Sequence, residues 1–160
     1  MPIHKEKRIV PYRPDQMYQL VLGVNHYPDF LPWVHSAHVY DQTEALFYAD
    51  LTIGSSLINQ GYSSKVTFES DANHPHTYRI DVRHTKGPFH HLHNYWVFRP
   101  YTTSNASSDQ CPTQTDIEFF LDFEISNPFL KPLLQPFLNQ AVNLMVDAFE
   151  KRAHALFTYT

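Results

Sequence analysis

The stretch at residues 115–125, TDIEFFLDFEI, decides the fold class, because it alternates through a strand's length with Phe120 as the one apolar residue on the polar face. Ile117, Phe119, Leu121, Phe123 and Ile125 share one face, while Asp116, Glu118, Asp122 and Glu124 share the other. A period of two belongs to a strand with one buried and one wet side. The same period dominates from Glu44 onward and predicts further strands at 45–53, 63–69, 77–84 and 93–99, an antiparallel meander. Residues 102–114, rich in Ser, Thr, Asn and Gln, read as a long solvated hairpin loop before the last strand.

Beyond Ile125 the period changes. Ser126-Asn127-Pro128 reads as a helix start, with Pro132 and Pro136 expected to kink or delay the main helix, so that regular helix runs over 135–156. Asn139, Asn143, Asp147, Glu150, Lys151 and His154 mark a wet stripe; Phe137, Leu138, Ala141, Val142, Leu144, Met145, Ala148 and Phe149 form a broad apolar surface. At 1.5 Å per residue such a rod is roughly 30 Å long, enough to lie across a curved sheet.

Upstream, residues 4–10 read as a first strand that ends at Pro11. A helix follows, with Pro14 in its first turn, Asp15 on its dipole, and Met17, Leu20, Val21 and Val24 along one face. Residues 27–33, YPDFLPW, interrupt apolar side chains with two prolines, which predicts alternating turn and short helix presenting Phe30, Leu31 and Trp33 as an apolar lip. The expectation is a single α+β domain over residues 1–160, a curved sheet and one long helix around an apolar cavity.

Composition bounds the function. Of 160 residues 42% are hydrophobic and 15% aromatic, which excludes disorder for the bulk of the chain and suffices for a wide aromatic core. Twelve basic against sixteen acidic residues give a net charge of −4, no footprint for a phosphate backbone, so nucleic acid is disfavoured as a partner. Eleven histidines carry a latent sensitivity to mild acid. The single cysteine, Cys111, has no intramolecular partner for a disulfide, residues 1–10 lack the apolar core of a secretory signal, and the chain reads as intracellular. The Asn105-Ala106-Ser107 sequon carries little weight in that setting. No apolar run approaches the ~20 residues that cross a bilayer, so membrane contact is expected to be peripheral.

Catalytic signals are weak. His90-His91-Leu92-His93 invites a metal, but strand geometry points His91 and His93 one way and His90 the other, and no metal site is expected. Gly87-Pro88-Phe89 is a turn with an apolar tip that suits a lid. There is no phosphate-binding glycine loop, and Ile53-Gly54-Ser55-Ser56 lacks the spacing of a nucleophile elbow. Binding is favoured over catalysis; His84 and Tyr78 are the candidates for an acid or base under an enzymatic reading.

Taken in order, Pro11-Tyr12, YPDFLPW, ADLTIG at 49–54, GPFHHLHNYWVFRP at 87–100, LDFEISNP at 121–128 and MVDAFEKRA at 145–153 resemble the coenzyme Q-binding family of START-like domains, within the polyketide cyclase and lipid-transport superfamily. The resemblance spans nearly the whole chain. It implies a helix-grip fold of the START/Bet v 1 type, an antiparallel sheet curled around the C-terminal helix with an apolar tunnel between them. It also implies ubiquinone or another prenyl lipid as bound ligand, a supporting role in respiratory electron transport, and a location in the cytoplasm peripheral to the inner membrane, or on the matrix side of the mitochondrial inner membrane in a eukaryote. The family includes bacterial toxins that block ribosomal subunit association, and the superfamily includes cyclases, so a ribosome-directed toxin and a cyclase-like enzyme are the alternatives. This chain departs from the family at Val34, where members often carry Cys, and at Asn59-Gln60-Gly61-Tyr62, where basic or aromatic residues are usual.

Strand and helix parity selects the tunnel residues: Leu51, Ile53, Val66, Phe68, Trp96, Phe98, Phe119 and Phe123 from the sheet, and Phe137, Leu138, Ala141 and Met145 from the helix. Phe30, Leu31, Trp33 and Phe89 are expected at the mouth and against a membrane surface. Exposing a five-carbon isoprenoid unit to water costs about 4 kcal/mol, at ~0.8 kcal/mol per carbon, so a carrier must enclose the tail nearly throughout. The acceptor-only quinone head requires donors, which Tyr hydroxyls, the Trp33 or Trp96 indole, or a histidine could supply.

Overall fold

A computed structural model describes residues 3–55, 58–102 and 112–158. β1 (Ile3–Val10) is followed by α1 (Pro14–Leu22) and a 3-10 turn (Val24–Asp29), then by β2 (Val34–Tyr40), β3 (Leu46–Gly54), β4 (Asn59–Ser70), β5 (Tyr78–Lys86), β6 (Phe89–Pro100), β7 (Thr115–Ile125) and α2 (Lys131–Phe157). The strands form one antiparallel sheet in the order β1-β7-β6-β5-β4-β3-β2, so the meander runs from β2 to β7 and β1 returns to pair with β7. The sheet curves around α2, the helix-grip arrangement of START-like proteins.

β7 follows its sequence pattern residue by residue: Ile117, Phe119, Leu121, Phe123 and Ile125 are buried and the residues between them are half-exposed. α1 buries Met17, Tyr18 and Val21 and is capped by Gln16, whose side chain accepts from the Arg13 backbone N–H at 3.0 Å. α2 buries Leu134, Leu138, Ala141, Val142, Val146, Phe149 and Ala153, a stripe at helical spacing laid into the concave face of the sheet. Its wet face is fastened as well, because Arg8 on β1 donates to Asp147 and, at 3.1 Å, to Glu150.

Several expectations need correction. β2 carries no clear alternation because a bulge between Val34 and Ser36 shifts its register against β3, and a strand there was not expected. β6 starts at Phe89 rather than His93, again through a bulge, between Phe89 and His91, that breaks the period. α2 starts at Lys131, since proline is tolerated in a first turn, and continues through Pro136. Asn127 caps the preceding turn instead, accepting from the Phe129 backbone N–H at 2.8 Å. Leu144, expected on the apolar surface, is 45% exposed. The described residues do not include Cys111, the Asn105 sequon or most of the 102–114 loop.

Phe149 joins the layers: its ring meets Trp96 of β6 at 5.2 Å, Tyr27 at 5.3 Å and Phe30 at 5.2 Å, each edge to face. Replacing it leaves those three rings unsupported. Phe149→Ala is therefore expected to cost about 3–5 kcal/mol in urea unfolding, against no more than ~0.5 kcal/mol for Leu144→Ala on the same helix. Equal losses for the two variants would contradict this placement of α2.

Candidate functional site

α2 does not fill the concavity it covers. Between helix and sheet lies a cavity of about 120 Å³. Its floor comes from inward positions of five strands: Ala49, Leu51 and Ile53 on β3, Tyr62, Ser64 and Val66 on β4, Ile80 and Val82 on β5, Phe89, Leu92, Asn94 and Trp96 on β6, and Leu121 and Phe123 on β7. Leu138, Ala141, Val142, Met145 and Phe149 of α2 form the roof, and Val21, Val24, Tyr27, Leu31, Trp33 and Val34 close one side. The hollow persists because alternate-position parity lines it with Ala49 and Ala141, whose side chains are too short to meet across it.

Most of the residues selected from sequence come together here. Leu31, Trp33, Leu51, Ile53, Val66, Phe89, Trp96, Phe123, Leu138, Ala141 and Met145 all line the cavity. Phe68, Phe98, Phe119, Phe137 and Phe30 do not. Phe98 and Phe119 share the expected face but pack behind the Trp96 ring, at 5.9 and 4.7 Å. Phe68 packs on Phe47 at 5.8 Å, and Phe137 lies partly buried at the edge of the core. Phe30 is trapped between Phe149 and the Arg152 guanidinium, which sits 5.2 Å from its ring centroid. The YPDFLPW segment is thus a wall rather than a free lip: Leu31, Trp33 and Phe89 are buried and cannot meet a membrane surface.

Parity could have found two further lining residues. Extending the β4 alternation back from Val66 reaches Ser64 and Tyr62, directly opposite the cavity-facing Ala49 and Leu51 of β3. Val34 and Tyr62, both at points of departure from the family pattern, also face the cavity. The contributions of Val21 and Val24 depend on how α1 docks, which period alone does not determine.

The lining is apolar apart from a few uncharged groups. The Tyr27 hydroxyl donates to the Val21 carbonyl, and burial pushes its pKa far above the ordinary value. Asn94 donates its amide to the Phe120 carbonyl at 2.8 Å. Burial pushes the Tyr62 hydroxyl up to about 12. Among the described residues no Lys, Arg, His, Asp or Glu lines the cavity. His84 packs against Phe89 at 6.3 Å and Tyr78 stacks on Tyr18 at 4.5 Å, so the two residues named for acid or base chemistry both lie outside the lining. On the outer face of the sheet, His91 and His93 pair with Asp122 and Asp81, each at 3.1 Å. Among the described residues no group of three or more His, Cys, Asp or Glu side chains is placed to hold a metal.

The chain has counterparts among known proteins in sequence and in fold. A family model described as polyketide cyclase / dehydrase and lipid transport matches residues 10–150. The chain belongs to that family. Similar proteins include the ribosome association toxin RatA of Pseudomonas aeruginosa, 31% identical over 149 residues that cover 93% of each chain. Another is the mitochondrial coenzyme Q-binding protein COQ10 of Dictyostelium discoideum, 26% identical over 149 residues, 91% of this chain and 66% of that protein. The crystal structure of TTHA0849 from Thermus thermophilus shares the fold with a TM-score of 0.74 at 18% identity, covering 98% of this chain and 100% of that one.

Tyr62 makes the environment measurable. Its folded-state pKa lies above the unfolded value of about 10, so the folded protein holds the proton more tightly. The associated stability is complete below pH ~10 and is lost as pH rises towards about 12. Tyr62→Phe should therefore flatten the alkaline fall of the urea midpoint between pH 9 and 11. Parallel falls in the two proteins would show that this hydroxyl is not buried.

Proposed function

We propose that the chain binds ubiquinone or a related prenyl lipid in this cavity and supports its delivery or its use in respiratory electron transport. The observation that carries the reading is an apolar hollow with no charged side chain among the described residues that line it. Its size supports a specific mode. A cavity of roughly 150 Å³ accepts benzene, so a hollow of about 120 Å³ matches one ring or a short isoprenoid segment rather than a whole tail. A longer tail would lie along the α2 seam or remain in lipid. The similarity to a coenzyme Q-binding protein of Dictyostelium supports a quinone ligand.

Filling the hollow is the direct test. Ala141→Trp should lower the prenyl quinone recovered by mass spectrometry from organic extracts of the purified protein several-fold, at an overpacking cost of about 1–3 kcal/mol that leaves the circular dichroism spectrum unchanged. Undiminished occupancy in the folded variant would contradict the reading.

Delivery needs a surface that meets lipid, and the exposed apolar residues lie elsewhere than the sequence indicated. Phe129 is 87% and Leu133 61% exposed, flanking Lys131, and no carboxylate occurs over residues 126–146 although the chain has sixteen. The preceding Ser126 backbone N–H donates to Pro88 at 2.8 Å, next to the cavity-lining Phe89. Two side chains offer roughly 300 Å², well short of the ~800 Å² per partner of a stable protein interface, whereas an aromatic, a leucine and a lysine suit the boundary of an anionic bilayer. Phe129→Ser with Leu133→Ser should reduce co-sedimentation with anionic liposomes several-fold without lowering the urea midpoint. Unchanged co-sedimentation would exclude this surface.

A second reading, ribosome binding that blocks subunit association, draws support from the RatA relatives. Against it, some of the twelve Lys and Arg side chains already serve carboxylates, among them Arg8 with Glu6 and Glu150, Arg79 with Asp81, Arg99 with Glu118 and Lys7 with Asp116. Paired cations contribute little to phosphate binding. A subunit association assay at fixed salt separates the two readings.

A further inference from the structure

Two residues of polar type are fully buried in the described chain, and they differ in what they satisfy. Thr115 is completely buried, and its hydroxyl donates to the Tyr12 carbonyl at 2.7 Å. Ser64 is 1% exposed, lines the cavity, and makes no side-chain hydrogen bond among the described residues. Two positions earlier on the same inward face, the Tyr62 hydroxyl likewise has no hydrogen-bond partner among the described residues. Side chains at i and i+2 of a strand share one face, so both residues stand on one wall of an otherwise apolar space. A buried hydroxyl left unpaired costs about 1–3 kcal/mol, which a guest oxygen would recover.

Tyr62 is also held in place. Gly87 has φ of +138°, a conformation side chains rarely adopt, and a Cβ there would lie 2.6 Å from that of Tyr62. The Phe89 ring meets the Tyr62 ring edge-on at 5.6 Å. The β5–β6 turn thus packs against Tyr62 and fixes the ring from behind.

Resting on the proposed binding of an apolar guest, we infer that Tyr62 and Ser64 form the polar subsite of the cavity, taking a neutral hydrogen-bond acceptor such as a ring carbonyl. The donors supply direction and the apolar walls supply affinity. A carboxylate head is disfavoured because no cation lines the space to offset its desolvation. The subsite therefore selects a carbonyl-bearing ring over a fatty acid of similar bulk.

The test titrates three probes into the full chain at pH 8 by calorimetry: a short-tailed benzoquinone, an alkylbenzene of matching shape, and decanoate. Wild type should bind the quinone most tightly and decanoate least. Tyr62→Phe, which keeps the ring and its packing, should weaken the quinone about 5-fold and leave the alkylbenzene unchanged, with a smaller selective loss for Ser64→Ala. The infrared carbonyl band of the bound quinone should move to higher frequency in Tyr62→Phe, as expected for a lost hydrogen bond. Equal weakening of quinone and alkylbenzene, an unmoved carbonyl band, or decanoate binding as tightly as the quinone would overturn the subsite while leaving the cavity reading intact. Failure of every probe to bind wild type would overturn both.

Discussion

Everything in this molecule depends on how α2 sits in the concave sheet. Phe149 sets that seat by meeting Trp96 of β6 and Tyr27 and Phe30 of the segment after α1, all within 5.3 Å. The contacts lock helix, sheet and connecting turn at one place. Toward the helix N-terminus the roof includes the short side chain of Ala141 and the floor that of Ala49, and both line the cavity. A tight aromatic junction beside a gap of short side chains yields a hollow without requiring a loose core, since the junction supplies dispersion contacts that the gap forgoes.

The same arrangement explains what sequence could reveal. β7 and α2 were legible because each has one strong period and one buried face. β2 was not, since its bulge breaks the period and its histidines and serine carry no clear polarity contrast. Parity placed Phe98 and Phe119 on the correct face yet not at the correct depth: the Trp96 ring lies between them and the cavity. Tyr62 and Ser64 were accessible to the same parity argument, but an apolar tunnel directed attention to apolar residues. The YPDFLPW segment showed the opposite error. Its aromatic content was read as exposure to lipid, whereas Phe149 and Arg152 cover Phe30 from within the chain.

Family membership narrows the chemistry without choosing it, because relatives with ribosomal and quinone-related names share this architecture. The choice between them rests on which surfaces are chemically free. Some cations are committed to carboxylates of the same chain, and those around Asp81 and Glu118 hold these acids below the usual carboxylate range. Burial opposes ionisation of Asp81, but Arg79 and His93 outweigh it; at Glu118 the Arg99 hydrogen bond dominates. The interior adds a small apolar volume and, among the described residues, two hydroxyls without a hydrogen-bond partner. Those groups are the ones the proposed neutral guest would meet.

The central claim, that the hollow under α2 is where an apolar ring resides, is tested most directly by methyl NMR of Ile, Leu and Val during titration with a short-tailed ubiquinone. The account predicts shifts concentrated at Leu51, Ile53, Val66, Ile80 and Leu138, with ring contacts from the guest to these methyls. Shifts confined to surface methyls such as those of Leu133 and Leu156, with the interior ones unmoved at saturation, would contradict it.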